Sequence, residues 1–157
     1  MRGCGIDCGI KGSIALLDTD TQETQLWDTQ VLPDGTLDAF WVFNLISELK
    51  ADYAVIENVF RPLSLIRMAG EYQAICKLLD LPLYSVAVCT WKIELLGENT
   101  ANKQKSITVC KKIFPNADIN RLSPKQKKLS PNADRAEALL LSYYQSLKLK
   151  PSQKKKK

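Results

Sequence analysis

The segment Gly5–Leu17, with the sequence GIDCGIKGSIALL, predicts two short β-strands joined by a tight turn. Apolar residues lie on both sides of Lys11-Gly12, and glycine permits the positive φ that a hairpin-like connection requires. Asp7 interrupts the first strand, where an ionised carboxylate is costly unless it is paired or bound to a cation. The chain is therefore expected to begin with a strand hairpin that carries an acidic side chain in apolar surroundings.

Beyond this hairpin, the pattern predicts a third strand and then alternating helices and strands. The third strand is predicted over 26–31, and the continuous apolar run Tyr53–Ile56 is typical of a strand buried on both faces. Helical spacing and end signals predict the remaining elements, which are helices from Thr36 or Asp38 to residue 49 and over 64–79, 91–96, 101–114 and 131–147, a strand over 83–88 and a loop over 115–129. Ser130 is predicted to cap the last helix, with Pro131 as its first residue. We therefore expect an α/β fold in which helices flank a mixed central sheet of three antiparallel N-terminal strands followed by parallel strands.

Composition restricts the class of protein. With 157 residues, 45% of them hydrophobic and 25% charged, the chain suits one folded domain, and a disordered or collagen-like chain is excluded. We assign residues 1–150 to this domain and residues 151–157, which end in four lysines, to a basic solvated tail. No stretch approaches the roughly 20 apolar residues of a membrane span, and the start has no apolar signal-peptide core. The odd number of five cysteines indicates reduced thiols, which predicts an intracellular protein.

Charge is distributed unevenly along the chain. Residues 1–90 carry 6 Lys/Arg against 12 Asp/Glu, a net charge of −6, whereas residues 91–157 carry 16 against 5, a net charge of +11. The terminal lysine run supplies four of these positive charges, and the other twelve lie within the domain. An acidic half joined to a basic half predicts carboxylate chemistry beside a surface for a polyanion.

Four carboxylates lie where a core or the first turns of a helix are predicted. Asp7 interrupts a strand, Glu57 ends the most hydrophobic strand, and Asp134 and Glu137 lie three residues apart near the start of the last helix. Taken singly, each has a structural explanation: turn hydrogen bonding, a strand-end surface position, stabilisation by the helix dipole, or a solvated helix face. Taken together, they would repel one another strongly, and a divalent cation relieves such repulsion.

The donor set indicates which cation would bind. The chain contains no histidine, so oxygen-ligated Mg²⁺ or Mn²⁺ is favoured over Zn²⁺. Four carboxylates around two such ions, about 3.5–4 Å apart, is the arrangement that two-metal phosphodiester chemistry requires. The residues themselves thus predict a two-ion site for phosphodiester hydrolysis.

Three short motifs, in this order, resemble those of the RuvC-type Holliday-junction resolvases. Gly5-Ile6-Asp7-Cys8-Gly9, with Gly12-Ser13 after it, is similar to the family's opening motif, with Cys8 in place of the usual proline. The segment 56–60 (IENVF) resembles the second motif, an acidic residue at a strand end followed by Val-Phe. The segment 134–139 (DRAEAL) resembles the last motif, most of all in the version of chloroplast Holliday-junction resolvases and their bacterial and phage relatives.

This resemblance spans residues 3–147 and implies a fold and an activity. It implies an RNase H-like fold and a homodimer that nicks two opposing strands of a four-way DNA junction symmetrically. By the same resemblance, Asp7, Glu57, Asp134 and Glu137 would bind two Mg²⁺ ions, with Mn²⁺ able to substitute, and would be the catalytic residues. The products would carry 5′-phosphate and 3′-hydroxyl ends that a ligase can seal.

The resemblance also implies a DNA-binding surface around this site. Phe60 matches an aromatic residue that the family wedges into the opened centre of the junction, although a loop phenylalanine packed on the core is the alternative. Basic residues that would contact phosphates are Arg61, Arg67, Lys92, Lys103 and Lys105, of which Lys103 and Lys105 match a basic segment near the scissile strand. The apolar stripe from Leu65 to Leu79 is predicted to pack in the core, and because it matches the family's dimer-interface helix, part of it is expected to face a second subunit.

Other functions share parts of this pattern. A sugar-kinase-like lobe also opens with strand, Asp and Gly, but two lobes do not fit in 157 residues. Another RNase H-like nuclease, acting on RNA–DNA hybrids or processing DNA, would carry the same carboxylates. A catalytically silent junction-binding module would tolerate their loss, yet all four are present. The expected location, by elimination, is an intracellular compartment that contains DNA, and no helicase partner is indicated.

Overall fold

A computed structural model of the protein describes residues 1–99, 102–123 and 128–150. The predicted tail over 151–157 lies outside these residues. In chain order the elements are β1 (Arg2–Asp7), β2 (Ser13–Asp18), β3 (Thr24–Asp28), α1 (Ala39–Leu49), β4 (Tyr53–Asn58), α2 (Leu63–Leu78), β5 (Leu83–Ala87), α3 (Val88–Leu96), α4 (Lys103–Ile113), β6 (Asn120–Ser123), β7 (Lys128–Pro131) and α5 (Ala133–Leu149). None of the described helices has the length and apolar character needed to cross a membrane.

Five strands form a mixed central sheet with the order β3-β2-β1-β4-β5. β1 pairs antiparallel with β2, and β2 pairs antiparallel with β3. β1 pairs parallel with β4, and β4 pairs parallel with β5. The predicted α/β fold, with three antiparallel strands followed by parallel ones, is therefore confirmed.

Two apolar cores cover the two faces of this sheet. Because side chains alternate along a strand, Cys4, Ile6 and Ile56 point to the face covered by α1 and α2. Ala15, Tyr53 and Val55 point to the other face, where α5 lies with α3 and α4 beside it. Asp7 and Glu57 follow the same alternation, so both belong to the α5 face.

Glycines in β1 let α5 approach the sheet closely. A Cβ added at Gly5 would lie 1.9 Å from the carbonyl oxygen of Ala138 in α5, and one added at Gly3 would lie 2.6 Å from the Ser142 hydroxyl. The Ser142 hydroxyl also donates a hydrogen bond of 2.9 Å to the Gly3 carbonyl oxygen. This near contact of backbones fixes the first turns of α5 beside the carboxyl end of β1.

The structure differs from the predictions between α4 and α5. A loop is predicted over 115–129, but Asn120–Ser123 and Lys128–Pro131 form an antiparallel hairpin. The sequence also predicts Ser130 as the N-cap of the last helix and Pro131 as its first residue, and both predictions are wrong. These two residues pair with β6, and Asn132 caps the helix because its side chain accepts the Arg135 amide at 2.9 Å.

Candidate active site

Asp7 and Glu57 lie side by side at the carboxyl ends of two adjacent parallel strands. Ile6 of β1 is opposite Ile56 of β4, so the next residue of each strand, Asp7 and Glu57, reaches the same level of the sheet. Both side chains point to the α5 face, as described above. Ser13 of β2 is directly opposite Asp7 on its other side and shares this face. The strand ends therefore line up two carboxylates and a hydroxyl.

Helix α5 adds the other two carboxylates. Asp134 lies in its first turn, and Glu137, 9% exposed, lies one turn later. Residues three apart share one side of a helix, and the close packing of α5 on β1 brings that side to the strand ends. The structure thus brings together all four carboxylates that the sequence predicted.

The pKa of Asp7 reflects the proximity of the other three carboxylates. Burial raises it well above the usual value, and the negative charges of Glu57, Asp134 and Glu137 raise it further, whereas the ammonium group of Lys103 opposes the rise. The pKa of Glu57 is also raised, first by burial and then by the charge of Glu137. The charges of the other three carboxylates thus all act on Asp7, so the four groups form a single electrostatic site.

Hydrogen bonds from the surrounding helices orient two of the acidic groups, Glu57 and Glu137. The indole Nε1 of Trp91 in α3 donates to Glu57 Oε1 at 2.8 Å. The Ser106 hydroxyl in α4 donates to Glu137 Oε1 at 2.7 Å. The sequence analysis did not predict either donor, because nothing near Trp91 or Ser106 in the sequence links them to distant carboxylates.

Two lysines lie directly against the carboxylates. Lys92, only 8% exposed, places Nζ 3.2 Å from both Glu137 carboxylate oxygens, and it lowers the pKa of Glu57 that burial raises. Lys103 donates to Asp134 Oδ1 at 2.8 Å, and this bond raises the Lys103 pKa. Both residues were predicted to contact phosphates. The structure places them inside the acidic site, and phosphate contact stays a prediction.

The donor set of this site fits a hard divalent cation. Four carboxylates supply the oxygen ligands that Mg²⁺ and Mn²⁺ prefer, and their repulsion raises the Asp7 pKa in the absence of a cation. The Ser13 hydroxyl beside Asp7 is completely buried and finds no hydrogen-bond partner among the described residues. Such an unsatisfied hydroxyl fits a site whose polar partners include an ion or its water. Within residues 1–99, 102–123 and 128–150, however, no three His, Cys, Asp or Glu side chains are grouped closely enough to hold an ion as they stand.

An arginine network borders the site and was not predicted from the sequence. Arg121 of β6 lies 2.9 Å from Asp28 Oδ2 and 3.6 Å from Asp134 Oδ2. Arg135 of α5 donates to Asp28 Oδ1 at 2.7 Å. Burial opposes ionisation of Asp28, but the bonds from Arg135 and Arg121 outweigh it and lower the Asp28 pKa. The network links β3, the β6–β7 hairpin and α5. In the sequence, its members are an Asp at the end of a strand and two arginines far along the chain, and nothing local indicates that they meet.

The remaining predicted DNA-binding residues lie outside the carboxylate cluster. Phe60 and Arg61 follow β4 just beyond Glu57, and both are exposed, Phe60 to 80%. The alternative of a phenylalanine packed into the core is therefore wrong for Phe60. Arg67 lies on α2, where it pairs with Glu71, and Lys105 lies on α4, where its Nζ is 3.4 Å from Glu98 Oε1.

Comparison with known proteins shows similarity in structure. No family model and no curated protein matches the sequence. Among solved structures, Thermus thermophilus RuvC is similar with a TM-score of 0.62 and 16% identity, covering 93% of each chain. The fowlpox virus Holliday junction resolvase is similar with a TM-score of 0.60 and 16% identity, covering 94% of this chain and 99% of the viral one. The protein therefore has the RNase H-like fold of these resolvases.

Proposed function

We propose that this protein is an endodeoxyribonuclease that resolves four-way DNA junctions by paired symmetric nicks. The observation that carries the proposal is the meeting of Asp7, Glu57, Asp134 and Glu137 at one edge of the sheet, with the charges of the other three raising the Asp7 pKa. The fold supports it, because T. thermophilus RuvC and the fowlpox virus resolvase with this fold have been solved in complex with Holliday junction DNA.

The same four carboxylates are proposed to hold two Mg²⁺ ions, with Mn²⁺ able to substitute. Divalent ions bound there would supply an activated water and stabilise the leaving 3′-oxygen. Trp91 and Ser106 hold Glu57 and Glu137 in place through the hydrogen bonds described above. Lys92 forms an ion pair with buried Glu137 and so compensates the charge of this carboxylate.

Lys103 is proposed to bind the phosphate backbone. Its side chain is 69% exposed although its ammonium group touches Asp134, so the group can reach both the acidic cluster and a strand laid across it. Phe60, Arg61 and Lys105 are proposed to bind DNA farther from the reacting phosphate. Phe60 is proposed to wedge between bases at the centre of the junction, and its exposure directly after the strand that carries Glu57 supports this role.

A homodimer is part of the proposal. Two symmetric cuts require two active sites related by a two-fold axis. The exposed side of α2, which includes Leu63, Ile66 and Leu78, is the proposed contact between subunits. An intracellular compartment containing DNA, and the kinship of the last motif with chloroplast resolvases, stay predictions.

The test is cleavage of a synthetic four-way junction in Mg²⁺, beside duplex, single-stranded and RNA–DNA hybrid controls of the same sequence. We expect paired, symmetric nicks confined to the junction, with products that ligase reseals. Cleavage of the hybrid alone would assign the protein to another branch of RNase H-like nucleases. Tight junction binding without cleavage of any substrate would instead support a silent binding module.

A further inference from the structure

The β6–β7 hairpin presents an apolar pair to solvent. Leu122 and Leu129 are directly opposite each other in the antiparallel register, so their side chains share one face of the hairpin. They are 59% and 65% exposed. Both lie in the basic half of the chain, and Lys128 is their exposed neighbour. Two adjacent leucines held in solvent by a short ribbon contribute little to the core of their own subunit, so their exposure requires another explanation.

Arg121 fixes the position of this hairpin relative to the active site. Its guanidinium donates to the carbonyl oxygens of Lys11 at 2.8 Å and Gly12 at 3.3 Å, in the turn that follows Asp7. The same group pairs with Asp28 and approaches Asp134, one of the four carboxylates. The hairpin is thus anchored to the β1–β2 turn, which follows Asp7, and to the start of α5, which carries Asp134.

A groove of about 570 Å³ connects the hairpin with the carboxylates. The residues that line it include Lys11, Arg121, Leu122 and Asp134. The charge of Asp28 in its wall is compensated by Arg121 and Arg135. The groove therefore combines cationic groups with the apolar side chain of Leu122, and it includes Asp134, one of the four site carboxylates.

A nucleotide matches this combination of groups. Its phosphate suits Lys11, Arg121 and Lys128, and its base or deoxyribose suits the leucine pair. Leucine is among the apolar side chains that proteins insert against unstacked bases. A protein partner would use the apolar pair but leave the continuity between the groove and Asp134 unexplained.

We propose that the β6–β7 hairpin is a DNA-binding arm whose Leu122 and Leu129 pack against a nucleotide of the cleaved strand, displaced from its stack next to the scissile phosphate. The groove below the arm leads that strand to Asp134. This inference rests on the proposed function and extends it, because it names the element that holds the strand beside the cut. It assigns a role to a segment that the sequence predicted to be a loop.

The test uses a double variant, Leu122→Ser with Leu129→Ser, in the full chain. The matched control is Phe40→Ser, which removes an apolar side chain 78% exposed on α1, over the opposite face of the sheet. The probe is a four-way junction with 2-aminopurine at the nucleotides flanking the mapped cleavage site, titrated in Ca²⁺. Affinity, its salt dependence and the fluorescence increase on unstacking are measured together.

We expect parent and control to bind the junction equally and to raise the 2-aminopurine fluorescence. The double variant should bind about tenfold more weakly and lose the fluorescence increase, since apolar contact area is removed. The slope of log Kd against log salt should stay unchanged, since no charge is altered. Loss of fluorescence with an unchanged salt slope distinguishes an apolar contact from a general loss of phosphate binding.

Equal affinity and fluorescence for double variant and parent would overturn the inference and leave the proposed function intact. A smaller assembly in gel filtration for the double variant alone, with fluorescence retained, would show that the hairpin contacts a second copy of the chain and would also overturn it. If the parent does not bind the junction, the proposed function is wrong, and the proposed role of the hairpin, which rests on it, is wrong as well.

Discussion

In the three central strands of the sheet, the inner positions of one face are all apolar, whereas the other face carries acidic groups at one end. On the face covered by α1 and α2, β1, β2 and β4 contribute side chains that are at most 3% exposed and apolar, namely Cys4, Ile6, Ile14, Leu16, Ala54 and Ile56. On the face covered by α5, the same strands contribute two glycines in β1, then Asp7, Ser13 and Glu57 at the end where β1 and β4 finish. Strand propensity and burial alone would not produce this difference.

The difference between the two faces follows from the position of α5. Glycines in β1 allow α5 to lie close to the sheet, and the carboxylates lie beyond them at the strand ends, where burial and the charges of its neighbours raise the pKa of Asp7. A raised carboxyl pKa means that folding disfavours the ionised form, so the arrangement costs stability. A cost confined to one end of one face is typical of a site kept for chemistry.

The largest expected effect is on cleavage. Asp7→Asn keeps the size of the side chain but removes a charge from the acidic end, and we expect it to lower the rate of junction cleavage by about three orders of magnitude or more. Binding in Ca²⁺ should be largely retained. The matched control is Asp18→Asn, the same change at the other end of the sheet, paired with Arg2 in the register. Equal cleavage rates for the two variants would contradict the assignment of Asp7.

The next largest effect is on the free energy of unfolding, which should change in opposite directions when two different glycines are replaced by alanine. Gly5→Ala places a Cβ 1.9 Å from the Ala138 carbonyl oxygen, and we expect it to lower the free energy of unfolding by about 2–3 kcal/mol. Gly70→Ala, in α2 over the other face, meets nothing within 4 Å and should raise that free energy by up to about 1 kcal/mol. Urea denaturation measures both. Similar values for the two variants would show that α5 does not approach β1 as closely as described.

A smaller effect concerns pH. The folded protein binds more protons than the unfolded chain above the ordinary carboxyl pKa, because the Asp7 and Glu57 pKa values are raised. Without divalent ions, the free energy of unfolding should therefore fall as pH rises from about 4 through the raised values. Asp7→Asn should flatten this fall, and Asp18→Asn should not. Thermal melts in EDTA across pH 4–8 measure this pH dependence. Identical profiles for the parent, Asp7→Asn and Asp18→Asn would contradict the conclusion that the other carboxylates act on Asp7.

The sequence predicted the sheet and the acidic residues because both leave local signals. The Gly-Ile-Asp-Cys-Gly strand end, the apolar run before Glu57 and the i, i+3 pair on α5 are each visible within a few residues. Asp38 is the N-cap of α1, where the sequence placed a helix start, and its side chain accepts the Trp41 amide. All five cysteines are free, as predicted.

Features that depend on distant contacts were missed. From the sequence, Lys92 is expected to lie at the surface. In the structure it lies on the buried side of α3 and donates to Glu137, which is 45 residues away in the chain. The strands Asn120–Ser123 and Lys128–Pro131 have few strand formers, and the contacts of Arg121 with the β1–β2 turn help to fix their position. Neither the partner of a buried charge nor the anchor of a short ribbon can be identified from neighbouring residues.

The most direct test of the central claim is the effect of Mg²⁺ on thermal stability. If the carboxylates on the α5 face form a cation site, saturating Mg²⁺ at pH 8 should raise the Tm of the parent and of Asp18→Asn by roughly 5 °C or more. The increase in Tm should be largely absent from Asp7→Asn. It should be smaller at pH 5 than at pH 8, because a larger fraction of Asp7 is protonated at the lower pH. An equal Mg²⁺ effect on all three proteins, or none on the parent, would contradict the claim.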